Sequence, residues 1–302
     1  MNRNHKEWAC THRLILTALI LTCIPCRMSA QDFKNMVSPA FFGPNTFQVP
    51  LMNDNARTTD KLQAVLAGDF IHGHTGQRDY TADICFEFHV PLFSDRVNIS
   101  AWGVLQEWYV QSNDVLAYRG IPAGSGYDRG NKTGAIFIST DVQVCRERKS
   151  CPAILLRACL RTASENDSYP ARRGYDAAGY FFDLSLGKTF GQASISASAG
   201  FLCWQTAVGL QNDAILFGVK ANYAHEYFRA GVQYGGYCGW HHDGDFPRVL
   251  YLHSDFGPRN WPVKPYILYQ HGFNDWPFDL FRAGIKVDVS LPYGSARHHM
   301  TE

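Results

Sequence analysis

The 302-residue chain has no surplus of either charge: 28 Lys and Arg stand against 27 Asp and Glu, a formal net of +1. That balance excludes the clustered basic excess by which a nucleic-acid-binding surface announces itself. Charged residues make up only 18 % of the chain, below the ~25 % of a typical soluble domain. No hydrophobic run is long enough for a helical span. The apolar stretch from Leu14 to Pro25 (LILTALILTCIP) covers about 12 residues, against the ~20 that a bilayer-crossing helix needs. After residue 60 no segment carries a convincing amphipathic 3.6-residue period, which counts against α/β and α+β folds. No CxxC pair occurs after residue 30, so a zinc site lacks support.

What is present begins with an address. Arg3, Lys6 and Arg13 precede the apolar run, and Arg27-Met28-Ser29-Ala30 comes after it. This is the layout of a secretory signal peptide over residues 1–30, with cleavage expected between Ala30 and Gln31. Cys23 and Cys26 do not sit in a good lipobox. Cleavage removes four basic residues and Glu7, leaving 24 basic and 26 acidic residues, a net of −2. Six of nine cysteines stay: Cys85, Cys145, Cys151, Cys159, Cys203 and Cys238. An even number in an exported chain permits disulfides. Cys145 and Cys151, flanking RERKS, form the one pairing candidate.

Residues 31–60 hold Pro39, Pro44 and Pro50 among Phe33, Phe41, Phe42 and Phe47 without a period. Proline at that density breaks helix and ladder alike. The segment reads as an irregular N-terminal lead that packs inside or beneath the strands of the remaining chain. From Lys61 the period is two, the strand period. Tyr80, Ala82, Ile84, Phe86, Phe88 and Val90 alternate with Thr81, Asp83, Cys85, Glu87 and His89. Phe281, Ala283, Ile285, Val287, Val289 and Leu291 alternate with Arg282, Gly284, Lys286, Asp288 and Ser290. Segments 193–201 and 215–223 split the same way.

Twelve strands are expected, at 64–73, 79–91, 96–111, 134–145, 152–163, 176–188, 192–204, 213–224, 229–239, 248–256, 264–271 and 279–291, with ten to fourteen as the range the boundaries allow. Many run 10–14 residues, where ordinary strands average ~5–6. Longer gaps come after odd strands and shorter ones after even strands, the asymmetry of an outer-membrane barrel. The fold predicted is therefore all-β: a transmembrane antiparallel up-and-down barrel over 61–291, with a C-terminal tail at 292–302. An even strand number leaves both termini periplasmic. Hydrocarbon demands that every backbone polar group be paired within the protein, and a closed barrel leaves no open edge. Trp102, Trp108, Tyr109, Tyr180, Trp204, Tyr227, Trp240, Tyr251, Trp261 and Trp276 are candidates for the interfacial girdles.

The segments SPAFFGPNTFQVP (38–50), YDAAGYFFDLSLGKTF (175–190), GFLCWQT (200–206) and QYGGYCGWHHDGD (233–245), behind an exported lead, resemble uncharacterised outer-membrane β-barrel proteins of Bacteroidota. The resemblance implies the barrel and a Gram-negative outer membrane, with lipid and lipopolysaccharide as surroundings. It transfers no active-site residue. One departure is that the last strand ends at Leu291 and PYGSARHHMTE comes after it, where such barrels usually finish on an aromatic.

Channel lining is the leading functional reading, with a small polar solute as partner. Arg157 and Arg161 lie four apart on one strand, as do Arg282 and Lys286 on the last. With Lys220, they face the acids Asp83, Glu87 and Asp183 in a lumen that would orient solutes and tune ion selectivity. Eight strands leave a lumen filled by side chains and 16–18 an aqueous channel, so twelve permits either a narrow pore or a plugged barrel. The alternative is a closed barrel acting as a lipid hydrolase or surface-binding component. His241-His242-Asp243, His253 with Asp255, and Ser194, Ser196 and Ser198 supply the residue types without a spacing that specifies catalysis. No cofactor, metal or nucleic acid is expected. Gly187-Lys188-Thr189 is only the tail of a phosphate-loop pattern. Gly124-Ser125-Gly126 reads as loop flexibility, and Asn98, Asn131 and Asn166 match an N-glycosylation pattern that a bacterial barrel leaves idle.

Overall fold

In a computed structural model, the described residues are 41–290 without 47, 93–94, 166–169, 175–177, 206–210 and 241–243. The strands are β1 (Lys61–Gly73), β2 (Asp79–Pro91), β3 (Val97–Gln111), β4 (Arg129–Lys132), β5 (Ile136–Cys145), β6 (Ala153–Arg161), β7 (Gly179–Phe190), β8 (Ala193–Gln205), β9 (Gln211–Ala224), β10 (Phe228–Gly239), β11 (Arg248–Phe256), β12 (Val263–Asn274) and β13 (Phe278–Ser290). Each pairs antiparallel with its neighbours. β1 meets β13 in register from Lys61↔Ser290 to Gly73↔Phe278, which closes the sheet. The result is a closed barrel of twelve strand positions. Among the described residues no helix is long and apolar enough to cross a membrane; this barrel would cross with its strands.

β4 and β5 share one position. β5 pairs with the first half of β3, from Val97↔Val142 to Gly103↔Ile136. β4 continues beside the second half, from Glu107↔Lys132 to Val110↔Arg129. The break between them presses against Gly103, where an added Cβ would lie 2.5 Å from the Ala135 carbonyl oxygen. The stretch 112–133, expected as an open loop, thus also holds a short helix, α1 (Asn113–Tyr118). The turn Gly124-Ser125-Gly126 is built on glycines at φ +75° and +84°.

The two faces separate as the period predicts. On β1, Ala67, Asp69 and Ile71 are buried while Leu66 is 60 % and Phe70 54 % exposed. On β7, Phe181, Asp183 and Ser185 point in and Phe182 and Leu184 point out. Leu156, Leu160, Phe281 and Ile285 extend this outer apolar surface, which suits hydrocarbon rather than water. Aromatic residues flank it at both ends. Trp108, Tyr180, Tyr227 and Trp261 are exposed as expected of girdle residues. Trp204, Tyr251, Trp276 and Tyr109 are instead buried. Those four occupy inward positions of their strands or turns, a distinction that proximity to a strand end does not reveal.

The end carrying Lys61 and Ser290, the terminal end, has the tighter turns, and the opposite end, the loop end, carries the longer loops. A third structural feature fills the barrel: residues 41–60 run through its interior from the loop end to the terminal end.

Candidate functional site: the lumen and its N-terminal occupant

The N-terminal segment is tied to the wall along its whole described length. At the loop end, the Asn45 amide donates to Asp83 (2.9 Å) and Glu107 (2.6 Å). Below it, the Tyr251 hydroxyl donates to the Val49 carbonyl at 2.6 Å. Gln233 brackets the chain, accepting from Met52 N–H (2.8 Å) and donating to the Pro50 carbonyl (2.9 Å). Arg157 Nη1 donates to the Leu51 carbonyl (2.7 Å) and Lys220 Nζ to that of Met52 (2.8 Å). Nearer the terminal end, Asn53 donates to Asp141 (3.0 Å), Asn55 to Thr189 (2.6 Å) and Arg57 to Glu147 (2.6 Å). A proline-broken segment cannot pair as a strand, so side chains of the wall satisfy its backbone instead. Phe42 and Val49 carry its apolar share, packing into a cluster with Phe137, Trp204, Tyr237, Trp276 and Phe278.

A buried charge network closes the loop end. Arg173, in the β6–β7 loop, donates from Nε to Glu107 (2.8 Å) and from Nη2 to Thr81 (2.5 Å), and lies 4.8 Å over the Tyr109 ring. Arg119, just after α1, donates to Asp79 at 2.6 Å and also bonds Gln111. Burial pulls the Arg119 guanidinium down to about 10, against the opposing pull of Asp79. For Arg173 burial acts in the same sense, but Glu107 and Asp79 outweigh it and hold the group above its ordinary value. Burial raises the Glu165 carboxyl, and Arg161 and Lys132 only partly offset this. Arg119 and Arg173 sit in loops without a period, so sequence reasoning misses them. Their one visible signal is arginine next to glycine-rich or aromatic turns.

All eight residues expected to line a lumen lie on inner faces of their strands. Arg157 grips Asp183 at 2.8 and 2.7 Å, and Arg282 grips Asp69 at 2.7 Å through two nitrogens. Arg161 pairs with Glu165 at 2.6 Å. Lys220 reaches Asp54 at 2.6 Å, and Lys286 lies 3.9 Å from Asp255. Asp83 is held by Asn45 and Glu87 by His89. The main Arg–Asp pairs therefore form between neighbouring strands, β6–β7 and β13–β1, rather than across the lumen. The register sets Arg157 opposite Asp183 and Asp69 opposite Arg282, which single-strand periodicity does not reveal.

Beside the segment a cavity of about 710 Å³ extends toward the terminal end. Its floor alternates in sign: Lys264 (3.5 Å) and Arg229 (3.7 Å) flank Asp288, and Arg229 (2.8 Å) and Lys286 flank Asp255. Asp54 sits among these groups. At Gly231 the missing side chain lets His253 and Asn222 pack over the backbone, where a Cβ would meet His253 Nε2 at 2.3 Å and Asn222 Oδ1 at 2.4 Å. On the facing wall, Glu87 Oε1 lies 2.5 Å from His89 Nε2, and His89 Nδ1 lies 2.7 Å from Ser100 Oγ. Ser100 Oγ is also 3.4 Å from an Asp141 carboxylate oxygen. Register creates this acid–imidazole–hydroxyl chain by pairing His89 with Ser100.

The hydrolytic candidates from sequence do not assemble. Ser196 and Ser198 are buried on β8, Asp255 is engaged by Arg229, and no described serine hydrogen-bonds His253. His241, His242 and Asp243 lie outside the described residues, as does Asn166. Gly187-Lys188-Thr189 belongs to β7, where Lys188 Nζ bonds the Arg148 carbonyl at 2.6 Å. Asn98 is buried and Asn131 lies in β4. The Cys145 and Cys151 sulfurs lie 3.6 Å apart, within thiol hydrogen-bond distance and without a disulfide between them.

No family model matches the chain, and no curated protein matches it in sequence. Solved structures do resemble it in fold. The COG4313 outer membrane channel from Pseudomonas putida F1 aligns with a TM-score of 0.55 at 7 % identity, over 79 % of this chain and 100 % of that one. A NanC porin aligns at 0.47 and 10 % identity, over 75 % and 98 %. A KdgM porin in complex with disordered oligogalacturonate aligns at 0.44 and 8 %, over 74 % and 98 %. The class that fold and comparison define is the outer-membrane-type β-barrel. The molecule is a twelve-strand example with a lumen occupied by its own N-terminal segment.

Proposed function

We propose that the protein is a porin-like outer-membrane channel for a small polar solute, in a Gram-negative bacterium and, as the sequence resemblance implies, one of the Bacteroidota. The observation that carries this reading is the charged cavity of about 710 Å³ inside a twelve-strand barrel. A barrel meant only as a membrane anchor gains nothing from burying that many charged groups, each of which costs free energy unless paired. The alternating floor from Lys264 to Lys286 suits a solute with both donors and acceptors. In this reading the terminal end faces the periplasm, outer-leaflet lipid and lipopolysaccharide surround the loop end, residues 1–30 are removed, and 292–302 form a tail after the last strand.

Residues 41–60 set the resting state. They span the lumen, so passage requires the segment to move aside or the solute to slip past it on the cavity side. Planar-bilayer recording tests both. The native chain is expected to show brief, small steps, and deletion of 41–60 should give long, larger ones. Charge reversal of Arg157 and Arg161 together should shift the reversal potential in a salt gradient. A deleted barrel that inserts but never conducts overturns the channel reading.

The Glu87–His89–Ser100 chain favours a second reading, a hydrolase acting inside the lumen, since an acid-oriented imidazole beside a hydroxyl is the arrangement of an activated nucleophile. Asp141 argues against it, because a carboxylate 3.4 Å from Ser100 Oγ would repel an oxyanion formed there. A fluorophosphonate that labels native protein but not S100A would promote this reading above the channel.

A further inference from the structure

The β5–β6 turn at the terminal end brings two thiols together. Cys145 ends β5 and pairs with Ile154, and an isolated backbone bridge joins Arg148 to Cys151. In that bridge Arg148 N–H donates to the Cys151 carbonyl at 2.9 Å and Cys151 N–H to the Arg148 carbonyl at 3.3 Å. Had the ladder run straight, three residue rises, about 10 Å, would separate Cys145 from the level of Cys151. The ladder lapses at Arg146 and Glu147 instead, and the two sulfurs stand 3.6 Å apart. Both cysteines are half-buried, whereas Cys85, Cys159, Cys203 and Cys238 are buried. Exposure to solvent is what lets an oxidant reach a thiol.

The same turn holds the exit of the luminal segment. Glu147, between the two cysteines, accepts from Arg57 at 2.6 Å and from the Thr189 hydroxyl at 2.8 Å. Gln143, two residues before Cys145, accepts from Thr58 N–H at 3.0 Å. Its amide donates at 3.0 Å both to the Ala56 carbonyl and to the Cys145 carbonyl. From the wall, Lys188 Nζ donates to the Arg148 carbonyl at 2.6 Å. Whatever fixes residues 145–151 therefore also fixes the groups that hold Ala56, Arg57 and Thr58.

We propose that Cys145 and Cys151 are a dithiol that a disulfide oxidant closes into an intramolecular disulfide, clamping the turn that anchors residues 41–60. The step is thiol–disulfide exchange. One thiolate attacks a sulfur of the oxidant's disulfide, forming a mixed disulfide and releasing the oxidant's other sulfur as a thiolate. The second cysteine then attacks its partner's sulfur and displaces the oxidant. A new S–S bond replaces the old one, and the two electrons and both thiol protons end on the oxidant. A closing movement of about 1.5 Å brings the sulfurs to bond length. The hydrogen bond with Cys145 raises the Cys151 thiol above its ordinary value, against the pull of Arg148 and Lys188. Mildly alkaline solution therefore speeds the exchange. An outer-membrane location, as proposed above, would supply an oxidising compartment.

The test starts with the full chain folded in detergent and incubated with oxidised glutathione at about pH 8. Free thiols are then blocked with iodoacetamide under denaturing conditions. Trypsin leaves Cys145 in peptide 133–146 and Cys151 in peptide 150–157, one cysteine in each. The expected product is these two peptides joined by a disulfide, and dithiothreitol before blocking should abolish it. Glutathione retained on either cysteine with no joined peptide, or no reaction at either, overturns the proposal. The clamp is read separately with a protease that cuts at aspartate, whose targets include Asp54, Asp60 and Asp128 but nothing within RERKS. Reduction of the disulfide should speed cleavage at Asp54 and Asp60 about three- to tenfold, the lower part of what a disulfide contributes. Cleavage at Asp128, before β4, should keep its rate. C145S/C151S should be cut at the reduced rate with or without glutathione. A disulfide that forms but leaves cleavage at Asp54 and Asp60 unchanged overturns the clamp. Neither readout requires conduction, so their failure is distinct from failure of the channel reading.

Discussion

Arg157 joins wall to occupant: Nε and Nη2 hold Asp183 at 2.8 and 2.7 Å while Nη1 donates to the Leu51 carbonyl at 2.7 Å. One guanidinium thus ties two neighbouring strands and the segment that fills the lumen, using the fork of donors that lysine lacks. R157Q should leave Asp183 buried without its partner, lowering stability by about 3–5 kcal/mol in urea. It should also raise the fraction of time that single channels spend open. Unchanged gating with lowered stability would assign Arg157 to the wall alone.

Gly43 lies where the segment meets the β6–β7 loop. A Cβ there would sit 2.9 Å from the Arg173 guanidinium carbon, and Gly43 N–H donates to the Arg172 carbonyl at 2.8 Å. G43V therefore forces the segment or the loop to shift, with an overpacking cost of about 1–3 kcal/mol. Cleavage of the native chain and of G43V by a protease too large to enter the barrel checks this. The variant should be cut sooner between residues 41 and 60.

Leu184 sits at the centre of β7, facing outward between Leu156 and Ala199 of the adjoining strands. L184R places a charge where hydrocarbon is expected and should cost about 2–4 kcal/mol when measured by reversible folding into lipid vesicles. S185A, one residue on and inward, should cost less than L184R. Equal costs would place the outer face in water.

Glu147 fixes the occupant's exit at the terminal end. Burial disfavours its ionised form, but the Thr189 N–H (2.9 Å) and hydroxyl (2.8 Å), then Arg57 (2.6 Å), outweigh that and hold its carboxyl below the usual range. Its stabilising contribution is therefore present above the ordinary glutamate value of about 4.3 and is lost as pH falls through the lowered one. E147Q should remove on the order of 1 kcal/mol at pH 7. Below the lowered value the variant and native curves should converge, which a pair of chemical denaturation series from pH 7 to pH 3 would show.

The barrel is legible in the chain because its cause is local. A period of two over 10–14 residues sorts side chains onto two faces whatever the neighbours are, so the faces of Asp83, Lys220 and Arg282 can be read strand by strand. Register is not local. That Arg157 meets Asp183, that His89 meets Ser100, and that Asp69 meets Arg282 depend on how strands far apart in sequence align. Trp204 and Tyr251 defeat the girdle expectation for a related reason, since a position near a strand end says nothing of whether a ring turns toward lipid or lumen.

The sequence by itself determined a strand-built chain with one apolar and one charged face, because composition and periodicity act within each segment. Only the tertiary structure decided what fills the barrel. Pro44 and Pro50 deny the described part of residues 41–60 a ladder of its own. The described part of that segment finds its hydrogen bonds where closure gathers Gln233, Tyr251, Lys220 and Arg157 from four strands around one space. A closed sheet creates an interior, and that interior supplies the polar partners that a proline-broken segment lacks within itself.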